Sequence, residues 1–141
     1  MTFPGLTALL LALGLGFVSG LRSLTPVAAV LLVRDSIWGY VLAGASVGEY
    51  VLDAQPNTPS RLGSRGLLFR VVSGAFVGAV IARSHDGSAV FGAIAGIAGA
   101  IAGAYAGHAA RLAAMTRIGD YPAAIGEDLV AIALAAFIVT R

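Results

Sequence analysis

The sequence predicts an all-α fold, a polytopic bundle of about five transmembrane helices, from its composition, its hydropathy and the length of its apolar runs. Hydrophobic residues make up 58 % of the 141 residues and charged residues 11 %, whereas a typical soluble domain carries about 25 % charge. The mean hydropathy is +0.90. We therefore expect one integral membrane domain that covers residues 1–141.

The first apolar run, residues 4–33, is longer than the roughly 20 residues that one span needs. Gly20 and Pro26 favour a break within it, because proline removes a hydrogen-bond donor and clashes with the preceding helical turn. The further predicted spans are 37–52, 67–82, 88–110 and 122–140. Pro122 suits the first turn of the last span. The sequence thus predicts a broken first helix and four further helices.

The distribution of arginine in and beside the connecting segments predicts the orientation of the chain. With the N-terminus in the cytoplasm, the inner side holds Arg61, Arg65, Arg70, Arg111 and Arg117. The outer side then holds Arg34, Arg83 and Arg141. Because cytoplasmic segments carry the excess of basic residues, the N-terminus is expected inside and the C-terminus outside.

All nine basic residues are arginine, and the net charge is only +2. They lie mostly at the expected membrane edges, where anionic head groups attract them. Membrane lipids are therefore the expected partners, and nucleic acid is not.

Arg22 lies inside the first apolar run, where a charged side chain costs about 3 kcal/mol at the centre of a membrane helix. A chain keeps such a group only if other parts of the protein pair with it. Ser23 and Thr25 follow it and are expected to satisfy backbone groups that the break at Pro26 leaves open. The sequence therefore predicts that carboxylates from other helices enclose Arg22.

Two pairs of acidic residues are the candidate partners. Glu49 and Asp53 are four residues apart on the second span and share a face. Glu127 and Asp128 follow Pro122, but adjacent helical residues point about 100° apart, so only one is expected to face a given site. The alternative role of this second pair is to stabilise the N-terminal end of the helix dipole.

Arg70 begins a small, partly polar face of the third span, which either lines a cavity or reaches the membrane interface. Together these residues form a candidate binding site for a substrate or an ion. Its members are Arg22, Ser23, Thr25, Glu49, Asp53, Arg61, Arg70, Arg111 and Glu127.

A stripe of glycines marks the fourth span. Its members are Gly92, Gly96, Gly99, Gly103 and Gly107. Small residues at spacings of three and four let helix backbones approach closely in lipid. The stripe therefore predicts either packing within one bundle or a homo-oligomer through this helix.

A glycine-flanked arginine followed one span later by a Gly-Glu pair occurs twice, as Arg22 with Glu49 and as Arg111 with Glu127. Because one span separates the two halves, the first two spans run opposite to the last two, as in an inverted repeat. The alternative is a chance similarity in a biased composition.

Several chemistries are not expected. The chain has no cysteine, which excludes disulfides and thiolate ligands. His85 and His108 lack further ligands at the spacing of a metal site. No nucleotide-binding or nucleophile motif is present. We therefore predict no metal and no cofactor.

The segments Gly20-Leu-Arg-Ser-Leu-Thr-Pro26 and Glu49-x-x-x-Asp53-x-x-Pro56-x-x-Pro59-Ser-Arg61 resemble those of a family of small bacterial integral membrane proteins of unknown function. This resemblance implies a multi-span bundle in the bacterial inner membrane. A looser similarity joins Glu49, Asp53 and Pro59-Ser60-Arg61 to parts of undecaprenyl-pyrophosphate phosphatases, although this chain is about half as long and lacks the glycine between Pro59 and Ser60.

Three functions fit these features. The first is a transporter or channel for a small ion or anionic solute, because ionisable groups within spans mark pathways. The second is a structural or accessory subunit, in which the charges fix helix register. The third is an enzyme acting on lipid phosphates, in which Glu49 and Asp53 bind a divalent ion and Ser60 and Arg61 contact phosphate.

Overall fold

The structure, a computed structural model, describes residues 4–22, 24–53 and 64–141. For residues 4, 46, 49–53, 64, 65, 120, 121 and 124 it describes the backbone only. All regular structure in these residues is helical, so the all-α prediction is confirmed. The helices are α1 Pro4–Leu21, α2 Leu24–Val33, α3 Ile37–Asp53, α4 Ser64–Ser84, α5 Ala89–Ile118 and α6 Asp120–Val139.

The first apolar run is two helices, as the break predicted near Gly20 and Pro26 requires. Helix α1 ends at Leu21, and α2 begins at Leu24. The Arg22 amide still donates to the Val18 carbonyl at 2.7 Å. Pro26 lies in the first turn of α2, where a missing amide proton breaks no helical hydrogen bond.

Helices α1, α4 and α5 pack against one another closely enough for their backbones to touch. A Cβ on Gly16 of α1 would overlap the Gly96 carbonyl, and one on Gly96 would overlap the Gly74 carbonyl of α4. On the same face of α5, Gly99 and Gly103 meet the backbone of α1 in the same way. The predicted glycine stripe thus packs within the chain, against two helices at once.

The remaining helices lie around this three-helix block. Helices α2 and α3 form a hairpin, and α6 contacts α1, α2 and α5. The central core contains Leu15, Val18, Val77 and Ile138, all buried. Many large apolar side chains point outward instead, among them Leu10 and Phe137.

The connection between α5 and α6 is shorter than the sequence suggested. Helix α5 continues past the predicted end at residue 110 to Ile118, and only Gly119 separates it from α6. Gly119 has a φ of 89°, a conformation that glycine adopts without a steric penalty. Arg111 therefore lies inside a helix rather than in a loop.

Two helical segments in the described part of the chain, Gly66–Ser84 and Ala89–Ile118, are long and apolar enough to cross a membrane by length and composition. The break shortens the first run to two apolar helices of fewer than 18 residues within the searched range. The expected total of about five spans therefore stays a prediction.

Candidate functional site

The cluster of charged side chains centres on Arg22, which has no exposed surface. Its Nε donates to Asp128 Oδ1 of α6 at 2.6 Å, and its Nη2 contacts the same oxygen. Its Nη1 lies 3.4 Å from the Leu21 carbonyl oxygen, which it approaches as a donor. The break after α1 thus places a guanidinium inside the protein, with a carboxylate from a distant helix against it.

A second ion pair lies beside the first. Arg111 of α5 donates from Nη1 to Glu127 Oε2 at 3.1 Å, and each side chain is about 10 % exposed. The same Glu127 oxygen lies 3.8 Å from Arg22 Nη2. Glu127 therefore stands between two guanidinium groups, and the four charges of Arg22, Arg111, Glu127 and Asp128 sum to zero.

The helical hairpin explains why Arg111 and Glu127 meet. Each lies eight residues from Gly119, one before it and one after it. Because both helices rise about 1.5 Å per residue, equal distances from a one-residue turn bring two positions to the same height. Gly119 is therefore the residue that sets this pair in register.

Glu127 and Asp128 both reach the cluster, although adjacent helical residues were expected to diverge too far for that. The expectation that only one of them would face a given site is wrong here. A guanidinium is a broad planar fork with donors on several sides. Arg22 therefore contacts Asp128 through Nε while its Nη2 lies near Glu127.

Arg70 lies in the interior of the protein, where it is 6 % exposed. Its Nε donates to the Gly20 carbonyl at 3.0 Å, and its Nη1 donates to the Gly66 carbonyl at 3.2 Å. One turn further along α4, Ser73 Oγ lies 3.2 Å from Ser19 Oγ of α1. A cation at the C-terminal end of α1 also complements its helix dipole, so Arg70 stabilises the break.

The other residues of the predicted site lie apart or outside the described region. Thr25 is buried and lines a separate apolar cavity between α2, α3 and α6. Ser23 and Arg61 lie outside the described residues. Glu49 and Asp53 belong to α3, but their side chains are not among those described. Contact between Arg22 and either α3 carboxylate therefore stays a prediction.

A cavity of about 440 Å³ opens beside the second ion pair, between α1, α5 and α6. This size falls within the roughly 300–1,000 Å³ of small-molecule sites. Its walls are mostly apolar, and Arg111 and Glu127 are its charged lining residues. Arg22 and Asp128 are not among the lining residues, so the Arg111–Glu127 half of the cluster is the one that faces this cavity.

Metal binding finds no support in the residues that the structure describes, because no three of their histidine or acidic side chains lie close enough to hold an ion. His85 lies at the end of α4, with Nδ1 3.0 Å from the Ile81 carbonyl oxygen. Its environment is that of a polar residue at a helix end.

The structure brings together Arg22, Arg111 and Glu127 of the predicted site and adds Asp128, which the sequence did not place in that site. Arg111 and Glu127 are equally far from Gly119 in the sequence, which predicts that they meet if Gly119 is a turn between two helices. Residues 111–121 were instead expected to form a connecting loop between the last two spans. Comparison with family models, curated proteins and solved structures gives no match to this chain. The resemblance to a small bacterial membrane family therefore stays a prediction.

Proposed function

We propose that this chain is an integral protein of the bacterial inner membrane, with about five spans, its N-terminus in the cytoplasm and its C-terminus outside. Within that membrane we propose a transporter or channel for a small ion or an anionic solute. Membrane lipids are the partners of its outer surface.

The distribution of apolar and charged side chains supports the membrane assignment. Large apolar residues point outward on several helices, as Leu10, Ile94 and Phe137 do, while Arg22 is fully buried. In water, an apolar surface of this extent favours aggregation. In a bilayer the same arrangement is favourable, because charged groups must face the interior of the bundle.

The observation that carries the transport proposal is the ion pair Arg111–Glu127 in the wall of an otherwise apolar cavity. Burying a charge is costly unless it is paired, so the pairing keeps both charged groups ionised beside the apolar wall of the cavity. Intramembrane ionisable groups of this kind mark substrate and ion pathways.

Flux in proteoliposomes tests this proposal. Vesicles with the purified chain and the potassium carrier valinomycin, which lets the counter-ion follow, are shifted into hyperosmotic potassium chloride or potassium acetate, and re-swelling is followed by light scattering. Arg111→Gln and Glu127→Gln should each lower the protein-dependent rate at least about tenfold, since losing a charged hydrogen bond of about 1.5–3 kcal/mol exceeds the 1.4 kcal/mol of a tenfold change.

Arg117→Gln is the matched control, because Arg117 lies on the same helix but is exposed and does not line the cavity. Its rate should equal that of the unaltered chain. Unchanged flux in both cavity variants would refute the proposal.

A structural or accessory subunit is the second candidate, and the complete burial of Arg22 favours it. The Arg22–Asp128 pair does not line the cavity beside Arg111, and it fixes the position of the α1–α2 break against α6 without serving a solute. The outward face of α5, with Ile94, Ile101 and Tyr105, would then contact another protein or a second copy of the chain. Purification in mild detergent tests this, and a larger complex that contains the chain is the expected result.

The lipid-phosphate enzyme rests on Glu49, Asp53, Ser60 and Arg61, whose side chains lie outside those described. No observed contact favours it over the other two functions.

A further inference from the structure

We propose that the cavity between α1, α5 and α6 binds an organic anion with an apolar body, whose anionic head contacts Arg111 and whose body lies against the apolar walls. This inference rests on the proposed transport function and names the class of solute. The head is a carboxylate or a phosphate, carried either by a free organic acid or by a membrane lipid.

The size of the cavity argues against a bare ion as its occupant. At about 440 Å³ it is more than ten times the roughly 30 Å³ that one water molecule occupies in the liquid. A monatomic ion would fill only a small part of it. A body of several carbon atoms uses the volume that the ion leaves empty.

The lining of the cavity fits a molecule with two chemically different ends. Phe17, Leu21, Ile118 and Val130 lie in the wall, with alanines between them, while the charged groups are Arg111 and Glu127. An apolar wall offers no partner for the hydration shell of a small ion, but it gains dispersion contacts with a hydrocarbon body. Recognition by many apolar and few polar groups is the usual pattern of a small-molecule site.

The position of Glu127 sets the sign of the charge. Its Oε2 lies 3.1 Å from Arg111 Nη1 and 3.8 Å from Arg22 Nη2. A cation approaching this carboxylate meets two positive guanidinium groups and is repelled. An anion that contacts Arg111 competes with Glu127 for a guanidinium that matches carboxylate and phosphate groups in shape and charge.

The same position gives Glu127 a second partner when an anion arrives. An anion that binds Arg111 displaces the Glu127 oxygen, and Arg22 Nη2 lies 3.8 Å from that same oxygen. Glu127 can therefore shorten its contact with Arg22 while it gives up Arg111. No carboxylate is left buried without a cation, which would be the main cost of such an exchange.

Binding of radiolabelled octanoate to the full chain in phosphatidylcholine nanodiscs tests the inference, with octanamide as the uncharged ligand of equal length. Saturable binding of octanoate is expected, with affinity at least about tenfold lower in Arg111→Gln and for octanamide. Ala114→Phe, which fills the cavity from its wall, should abolish binding.

Two matched variants control for general effects on the fold. Arg117→Gln removes an exposed arginine of α5, and Ala113→Phe adds the same bulk at the exposed neighbour of Ala114. Both should bind octanoate like the unaltered chain. The comparison of octanoate with octanamide needs no substitution, so a variant that fails to fold does not remove the test.

Competition between octanoate and an anionic lipid distinguishes the two sources of the anion, a free organic acid and a membrane lipid. Phosphatidylglycerol added to the nanodiscs lowers octanoate affinity if the natural ligand is a lipid, and leaves it unchanged if the ligand is a free acid; either result supports the inference. Equal binding of octanamide and octanoate, or no saturable binding of octanoate, overturns it.

Binding and flux can fail separately. Octanoate binding at Arg111 without flux of any salt would leave this site in place and remove the transport function. Flux of chloride or acetate without octanoate binding would keep the transport function and remove this solute class.

Discussion

The two ion pairs of the cluster share one chemistry and differ in their surroundings. Arg22 and Asp128, the closed pair, have a fully buried arginine and do not belong to the cavity lining, whereas Arg111 and Glu127, the cavity pair, line the cavity. The Arg22 side chain has no exposed surface and that of Asp128 is 17 % exposed, while Arg111 and Glu127 are each about 10 % exposed. The two pairs therefore differ in their arginine, which protein encloses in the closed pair and which reaches a cavity in the other; in the function proposed above, only the second arginine meets a solute.

The largest effect is expected from Asp128→Asn, which removes the carboxylate charge that contacts the buried Arg22 guanidinium. Breaking a buried ion pair by removing one partner costs about 3–5 kcal/mol. Unfolding by sodium dodecyl sulfate in mixed micelles, followed by circular dichroism, measures the free energy of unfolding. Arg22→Met combined with Asp128→Leu removes both charges and should cost less than the single change, because apolar replacement of a whole pair is often near neutral. A single variant as stable as the unaltered chain would contradict the assigned role of the closed pair.

Glu127→Gln should destabilise the fold less than Asp128→Asn does. The arginine that loses its carboxylate here, Arg111, is about 10 % exposed, whereas Arg22 has no exposed surface, so the expected loss is about 1.5–3 kcal/mol. The same unfolding measurement applies. If Glu127→Gln proves the more damaging of the two, the cavity pair and not the closed pair holds α6 in place.

Gly20→Ala tests whether the closed pair depends on the close approach of α1 to α5. A Cβ on Gly20 would overlap backbone atoms of Ala100 and Ala104. This overlap should destabilise the fold by about 1–3 kcal/mol, while the higher helix propensity of alanine stabilises it by roughly 1 kcal/mol. The free energy of unfolding should therefore fall by up to about 2 kcal/mol. Gly44→Ala is the control, since nothing lies within 4 Å of its added Cβ. Gly44→Ala should be more stable than Gly20→Ala, and the reverse order would show that α1 and α5 can separate without loss.

The smallest effect is expected from Arg117→Gln, which changes an exposed arginine near the end of α5. Surface substitutions of this kind stay within about 0.5 kcal/mol. A larger loss would mean that arginines of α5 stabilise the fold irrespective of the cavity, and the contrast between the two pairs would then be less sharp.

Much of the fold follows from local features of the sequence. The break after α1 was predicted from Gly20 and Pro26, because proline acts on the backbone at its own position. The burial of Arg22 followed from the cost of a charge in an apolar run. Both inferences need only the residues next to them, and the structure places the break and the guanidinium where they require.

The partners of Arg22 depend on features that are not local. Asp128 lies 106 residues further along the chain, and its place beside Arg22 depends on how α6 returns across α1. That return depends on Gly119, and a single glycine between two helices looks in sequence like any other glycine of this glycine-rich chain. Because residues 111–121 were expected to form a loop, the sequence did not predict the helical hairpin about Gly119 or the contact between Arg111 and Glu127 that it produces.

The touching backbones of α1, α4 and α5 have a consequence for mutational tolerance. At Gly74 and Gly96 a backbone carbonyl lies where a neighbouring helix would carry a Cβ, so any substitution at these glycines must displace main-chain atoms. Helix α6 meets α1 through side chains, such as Ile138 against Gly14, and a side chain can change rotamer to accommodate a new neighbour. Substitutions between α1 and α6 should therefore be tolerated better than substitutions among α1, α4 and α5.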